Sequence, residues 1–304
     1  MLTLALTLAG IALAVAGFHG LIRWSLRAPR VVERETPAKF GLAYEDVRIP
    51  GAGGKSLFGW LVPSAAGEGA PALVILHGWG GNAETMLPLV PALHRAGFAL
   101  LLIDARNHGK SDADTFSSLP RFAEDLDHAL DWLKVRRGVK PDRLGVVGHS
   151  VGAAAALLAA SRRHDLAAVV SIAAFAHPAG MMRRLLKSWR IPYLPFGWYV
   201  LRYVQKVIGY RFDDIAPLST IAHARCPVLL VHGTEDTTVP VAEAELLHAR
   251  RGGKQGRLLL VKGSHDSYEE LDRQIGDVID FLDSALKPGN SPDSANKPAS
   301  RSGT

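Results

Sequence analysis

Residues 148–152 read Gly148-His149-Ser150-Val151-Gly152, between the apolar run Leu144–Val147 and an alanine-rich stretch with helical propensity. A sharp strand-to-helix turn with glycine on both sides would project the Ser150 hydroxyl from a sheet rim, facing the free N–H groups of the new helix. The pentapeptide is a weak signal by itself, because a glycine-lined packing turn with an idle serine is spelled the same way. A serine nucleophile also needs an imidazole to take its proton and a carboxylate to orient that imidazole. Two later segments carry those groups. His232-Gly233-Thr234-Glu235-Asp236-Thr237-Thr238-Val239-Pro240 follows one apolar run, and Gly263-Ser264-His265-Asp266 follows the last.

Serine, acid and histidine in that order, each beyond the end of an apolar run, resemble the serine hydrolase branch of the α/β-hydrolase superfamily over roughly residues 44–286. The resemblance implies Ser150 as nucleophile, Asp236 as acid and His265 as base. Asp236 is preferred to Glu235 because the family pattern G-x-x-D, followed by x-x-V-P, aligns on it. Asp266 adjoins His265 too closely to orient it and is expected to cap a helix. His77-Gly78-Trp79-Gly80-Gly81 resembles the family loop that supplies one oxyanion-hole N–H, here from Trp79; the other would come from Val151. Asp104-Ala105-Arg106-Asn107-His108-Gly109-Lys110-Ser111 is similar to the family's D-x-R-x-x-G-x-S loop and reads as a brace, while His149 and His232 read as local hydrogen-bonding residues of tight turns. The histidines lack metal-ligand spacing and Cys226 is the only cysteine, so neither a metal site nor a cofactor is expected.

These residues need a scaffold that collects strand ends. Apolar runs at 72–76, 99–103, 144–147, 168–172, 228–231 and 258–261 alternate with amphipathic stretches near 83–96, 120–135, 151–163, 241–250 and 268–286. That rhythm predicts a mostly parallel sheet with helices on both faces, and sites beyond the carboxyl ends of its strands. Two further strands, 44–49 and 56–63, make about eight. They flank a glycine-rich turn whose GGKS lacks the glycine spacing of a phosphate loop. The interval 176–222 is too long for a crossover and reads as an inserted helical cap.

The ends of the chain differ from the body. Residues 1–22 contain no charged side chain and would extend roughly 33 Å as a helix, enough to cross a bilayer. Arg23, Arg27 and Arg30 follow, so the positive-inside rule places the body on the cytoplasmic side. The alternative is a signal peptide cleaved near Ala14-Val15-Ala16, leaving a secreted or periplasmic enzyme, although the basic n-region of such peptides is missing. Residues 23–43 read as a linker, 44–286 as the hydrolase domain and 287–304 as a disordered tail. The net charge of +6 comes without nucleic-acid-binding motifs, and no nucleic-acid partner is expected.

Residues 181–212 hold seven basic residues, six Trp or Tyr, two Phe and no Asp or Glu. Such a cap suits an apolar acyl chain or a membrane surface better than the free amine of a peptide. The expected activity is therefore that of a membrane-anchored serine hydrolase acting on carboxylic esters, apolar or lipid-like, with membrane lipid as partner of the N-terminal helix. Peptidase, aminopeptidase or acyltransferase action on the same triad, or a membrane-tethered binding protein on the same fold, are the alternatives.

Overall fold

The computed structural model describes residues 1–253, 256–266 and 271–287. The expected tail beyond Lys287 lies outside the described residues. Eight strands form one sheet: β1 (Glu45–Pro50), β2 (Ser56–Val62), β3 (Ala70–Leu76), β4 (Ala99–Ile103), β5 (Val139–His149), β6 (Leu166–Ile172), β7 (Val228–Gly233) and β8 (Gly256–Val261). Their order is β1-β2-β4-β3-β5-β6-β7-β8. β2 pairs antiparallel with both β1 and β4, and every other pairing is parallel. The 52–54 segment is a tight turn between β1 and β2, as its glycines require: Gly53 and Gly54 both have positive φ.

The helices follow in chain order: α1 (Leu2–Ser25), α2 (Val90–Arg95), α3 (Leu119–Lys134), α4 (Val151–Arg162), α5 (Pro178–Ser188), α6 (Trp198–Ile208), α7 (Phe212–Ile215), α8 (Pro217–Thr220), α9 (Val241–Arg251) and α10 (Leu271–Leu286). The stretch expected as one helix over 83–96 is split. Residues Ala83–Leu89 form a 3-10 segment containing Pro88, which has no N–H to donate, and α2 continues from Val90.

Strand periodicity divides the core. Along β3, Ala72, Val74 and Leu76 join Phe122, Leu126 and Leu130 of α3 on one face of the sheet. Leu73 and Ile75 face the other way, among Phe281, Leu282 and Leu286 of α10. α4 is buried from Val151 to Ala160, and its run of alanines lets it sit close to the sheet beside α3. That close seat fixes the turn from which α4 starts, the turn that carries Ser150.

The cap region contains α5 to α8, joined between α5 and α6 by the turn Tyr193–Gly197. α1 is the one helix among the described residues long and apolar enough to cross a membrane, with a mean hydropathy of 2.0. Of its residues only Ile22 is buried. It runs to Ser25, three residues beyond the expected boundary. The stretch read as a linker is pinned to the body: Arg30 donates to the carbonyls of Gly109 and Ser111 at 2.8 and 2.7 Å, and the Arg34 N–H donates to Glu84 at 2.7 Å.

Candidate active site

Ser150 stands between β5 and α4 with φ 54° and ψ −116°, a backbone conformation that L-residues rarely adopt. Its N–H is tied to the carbonyl of Ile172 on β6 at 2.8 Å. The flanking glycines are steric necessities. A Cβ on Gly148 would lie 2.5 Å from the Gly152 carbonyl oxygen, and one on Gly152 would run into the carbonyls of Leu76 and His77. The turn is thus bent so tightly against β3 that only hydrogen fits at both positions.

The structure brings the three predicted residues together. His265 Nε2 lies 3.0 Å from Ser150 Oγ, and His265 Nδ1 lies 2.7 Å from Asp236 Oδ2. Asp236 follows β7, and its other oxygen, Oδ1, accepts the N–H groups of Thr238 and Val239 at 2.9 and 2.7 Å. Burial alone would raise its pKa. The hydrogen bonds from His265 and the Val239 N–H, with the electrostatic attraction of His265, outweigh burial and hold the carboxyl below its ordinary value. An ionised Asp236 on Nδ1 selects the tautomer that leaves Nε2 free to accept the serine proton.

The Trp79 loop lies against this turn. A Cβ on Gly78 would stand 3.2 Å from Ser150 Cβ and 3.0 Å from His149 Nδ1. Val151 is the first residue of α4, so its N–H has no partner within the helix, and among the described residues the Trp79 N–H makes no backbone hydrogen bond either. The Trp79 indole is 42% exposed and meets His108 edge-on at 6.2 Å between ring centres, so its ring borders the loop surface.

The loop around Asp104 supports the site as expected, and His149 supports it in a way the sequence did not show. His149 Nε2 donates to the backbone carbonyl of His265 at 2.9 Å, a bond that spans 116 residues and goes beyond the local role expected for it. His232 does make a local one, to the Val239 carbonyl at 2.8 Å. His77 Nε2 accepts the Ala105 N–H at 3.1 Å, so Nδ1 carries the proton and donates to the Gly78 carbonyl at 2.6 Å. Burial pushes His77, His108 and His149 down to about 4, 3 and 4, so all three are neutral at physiological pH. Asp104 is fully buried and accepts the N–H groups of Ala83 and Lys110, each at 2.8 Å, bracing both loops. Arg106 pairs with buried Asp125 at 2.6 Å and with Glu124, tying the same loop to α3.

His149, His265 and Asp266 place possible ligand atoms within 4.8 Å of one another. Both ring nitrogens of His265 are already engaged, by Asp236 and Ser150, so a metal there would have to dismantle the Ser150–His265–Asp236 chain. Asp266 was expected to cap the helix that follows, and the residues between it and Leu271, where that helix start would fall, lie outside the described set.

Comparisons with known proteins identify the fold. The family described as alpha/beta hydrolase fold matches residues 71–197. The uncharacterized protein YfhR of Escherichia coli K12 is 30% identical over 257 residues, covering 81% of this chain and 83% of that protein. The uncharacterized protein YqkD of Bacillus subtilis is 29% identical over 223 residues, 71% of each chain. Among solved structures, the esterase Pf2001 of Pyrococcus furiosus superposes with a TM-score of 0.69 at 25% identity, over 86% of this chain and 99% of its own. The chain belongs to the α/β-hydrolase superfamily.

Proposed function

We propose that this protein is a membrane-anchored serine hydrolase that cleaves carboxylic esters with apolar or lipid-like acyl groups. The observation that carries the reading is the continuous chain Asp236–His265–Ser150, at 2.7 and 3.0 Å, ending on a hydroxyl held in a strained turn. Ser150 Oγ attacks the ester carbonyl while its proton passes to His265 Nε2. Asp236 stabilises the imidazolium, and the N–H groups of Trp79 and Val151 receive the oxyanion. Collapse expels the alcohol, which takes the proton from His265 and leaves an acyl group on Ser150. Water, deprotonated by the same imidazole, then releases the acid and restores the serine.

The cap favours esters over peptides. An aminopeptidase would need a carboxylate to receive the free amine, and residues 181–212 contain none. Asp213, just beyond, is engaged by His177 at 3.0 Å and by Arg211 at 3.6 Å. The superposing Pyrococcus protein is an esterase, which is consistent with this choice. α1 serves as the membrane anchor, and Arg23 and Arg27 just beyond its apolar run place the catalytic body on the cytoplasmic side.

The test is fluorophosphonate labelling of membranes holding the full-length chain, with Ser150→Ala beside it. Labelling of the wild type alone is expected, and equal labelling of both excludes Ser150 as nucleophile. p-Nitrophenyl esters of increasing chain length should be cleaved faster than aminoacyl-p-nitroanilides; the reverse order would make the protein a peptidase. A reporter fused after Arg30 should report a cytoplasmic position, and a periplasmic signal would overturn the topology.

A further inference from the structure

The cap holds a cavity of about 830 Å³ that none of Ser150, Asp236 and His265 lines. Four cations face it, Arg183, Arg202, Lys206 and Arg211, against a single carboxylate, Asp213. That carboxylate is already shared between His177 and Arg211. Arg183 donates to the Tyr193 hydroxyl at 2.8 Å, and Arg202 lies 6.0 Å from the centre of the Trp198 ring. Among the described residues neither Arg202 nor Lys206 has a carboxylate partner. Concentrated positive charge in a concave site of this size calls for an anion of small-molecule dimensions.

The position of α6 says where that anion comes from. Trp198, Arg202 and Lys206 recur every four residues, so they share one face of α6 and line the cavity. Tyr199 and Tyr203 form the adjoining face and pack on α1. His19 stacks on Tyr203 with ring centres 4.0 Å apart, and His19 Nε2 lies 2.6 Å from the Tyr199 hydroxyl. A hydrocarbon core of about 30 Å takes up about 20 residues of helix, so a span beginning at Leu2 reaches its far boundary near Leu21. Phe18 and His19 fall in the last turn of that span. The α6 residues touching them are therefore at the level where acyl chains give way to headgroups. The segment from the end of α5 to the start of α6 has the composition of that layer: Trp189, Leu194, Phe196 and Trp198 are 57, 70, 57 and 49% exposed.

We propose that the cap cavity lined by Arg183, Arg202, Lys206 and Arg211 binds the phosphate-bearing headgroup of an anionic phospholipid in the bilayer that α1 crosses. Trp189, Leu194 and Phe196 embed at the boundary beside it. This rests on the reading of α1 as a membrane span and is independent of the ester chemistry. A lipid held there docks the cap on the membrane, next to the region from which an apolar substrate would arrive.

Native mass spectrometry of the full-length chain, released from detergent with titrated phosphatidylglycerol or phosphatidylcholine, tests this. The wild type is expected to hold phosphatidylglycerol at least tenfold more tightly. Arg202→Glu/Lys206→Glu should abolish the preference, and Arg136→Glu/Arg137→Glu, an equal charge change on the far surface, should keep it. Arg202→Gln/Lys206→Gln stands in if the double reversal lowers the unfolding midpoint. No preference in the wild type, equal loss in both charge-reversal pairs, or a preference surviving in the glutamine pair overturns the proposal. Displacement of the lipid by millimolar inorganic phosphate would assign the cavity to soluble anions and overturn it as well. Carbonate extraction of membranes checks the span separately: release of the chain defeats the anchor reading whatever the lipid titration gives.

Discussion

The imidazole of His149, the residue before Ser150, donates from Nε2 to the backbone carbonyl of His265 at 2.9 Å. The turn that carries the hydroxyl and the loop that carries its base are thereby fastened to each other directly, in addition to the 3.0 Å contact between Ser150 Oγ and His265 Nε2. β8 lies at the sheet edge, and the Gly263 carbonyl beyond it accepts the Glu235 N–H of the loop after β7 at 2.9 Å, so the His149 bond adds a direct tie to the middle of the sheet. His149 is thus a positioning residue for His265. His149→Ala should lower kcat for ester hydrolysis by about 10- to 100-fold with KM little changed, the scale expected when a supporting hydrogen bond is lost and a reacting group shifts by an ångström. His149→Gln, which keeps an N–H donor, should recover part of it. Equal kcat in His149→Ala and wild type would reduce the bond to packing.

Asp236 makes two kinds of contact, and substitution separates them. Oδ1 takes the Thr238 and Val239 amides and holds its own loop, while Oδ2 faces His265. Asp236→Asn preserves size but presents no negative charge to the imidazolium, and its amide favours the wrong tautomer of His265. A fall in kcat of about 10⁴ is expected, as in the serine protease triad. The carboxyl is held below its ordinary value in the fold, so Asp236 should stay ionised across the acid limb of the wild-type profile. A kcat within tenfold of wild type would remove Asp236 from the mechanism.

Three buried neutral histidines make the fold sensitive to acid. His77, His108 and His149 are pushed down to about 4, 3 and 4 by burial, while in the unfolded chain each titrates near 6.5. Between those values the unfolded state binds protons that the folded state refuses, so stability falls as pH drops from about 6.5 toward 4. At about 1.4 kcal/mol per unit, each histidine contributes on the order of a few kcal/mol. The unfolding midpoint should therefore fall steeply over that interval. His108→Asn keeps a donor for the Arg106 carbonyl, which His108 Nδ1 reaches at 2.9 Å, and removes the titration. Its midpoint should fall less steeply, and a profile parallel to wild type would count against His108 as a source of acid lability.

The fold and the three residues that meet in the candidate site were legible in the sequence because each leaves a local signature. Continuous apolar strands announce a parallel sheet, and Ser150, Asp236 and His265 each sit in a motif at a strand end. Boundaries within 83–96 were missed because Pro88 interrupts a helical pattern that periodicity alone does not resolve. The His149 bond could not be read, since it joins residues 116 positions apart and depends on how two loops fold toward each other. The face of α6 that meets α1 was equally hidden: aromatic residues on both sides of the helix give a helical period without saying which side meets α1.

Gly152 shows how closely the turn is built against its neighbours. A Cβ there would collide with the carbonyls of Leu76 and His77, which belong to β3 and to the Trp79 loop. Backbone atoms cannot rotate aside as a side chain does, so Gly152→Ala must shift α4 or β3. A loss of about 1–3 kcal/mol is expected from such overpacking. Gly276→Ala, whose Cβ would meet nothing within 4 Å, is the matched control and should leave stability unchanged or slightly raised. Because the shift occurs beside Ser150 and Trp79, the fluorophosphonate labelling rate should fall in Gly152→Ala and not in Gly276→Ala.

Glu33 responds to pH in the opposite sense from the histidines. Its side chain is fully buried near that of Asp104, and both carboxyl groups crowd the space above Gly109, which has φ 44° and no room for a Cβ. Burial, and then the neighbouring Asp104 carboxyl, push Glu33 up to about 7, against a weaker pull from Lys110 at 3.7 Å. The unfolded glutamate releases its proton near 4.5, so between 4.5 and 7 the folded state holds a proton that the unfolded state has lost. The associated stability is complete below 4.5 and gone above 7. Glu33→Gln keeps a donor toward Asp104 and never ionises. The difference in unfolding midpoint between Glu33→Gln and wild type should rise from pH 4.5 to 7, turning in favour of the variant at the upper end and then levelling. A difference that does not change with pH would mean that Glu33 is ionised in the fold and paired with Lys110. The Asp104 loop would then be held to the segment after α1 by an ion pair in place of a shared proton.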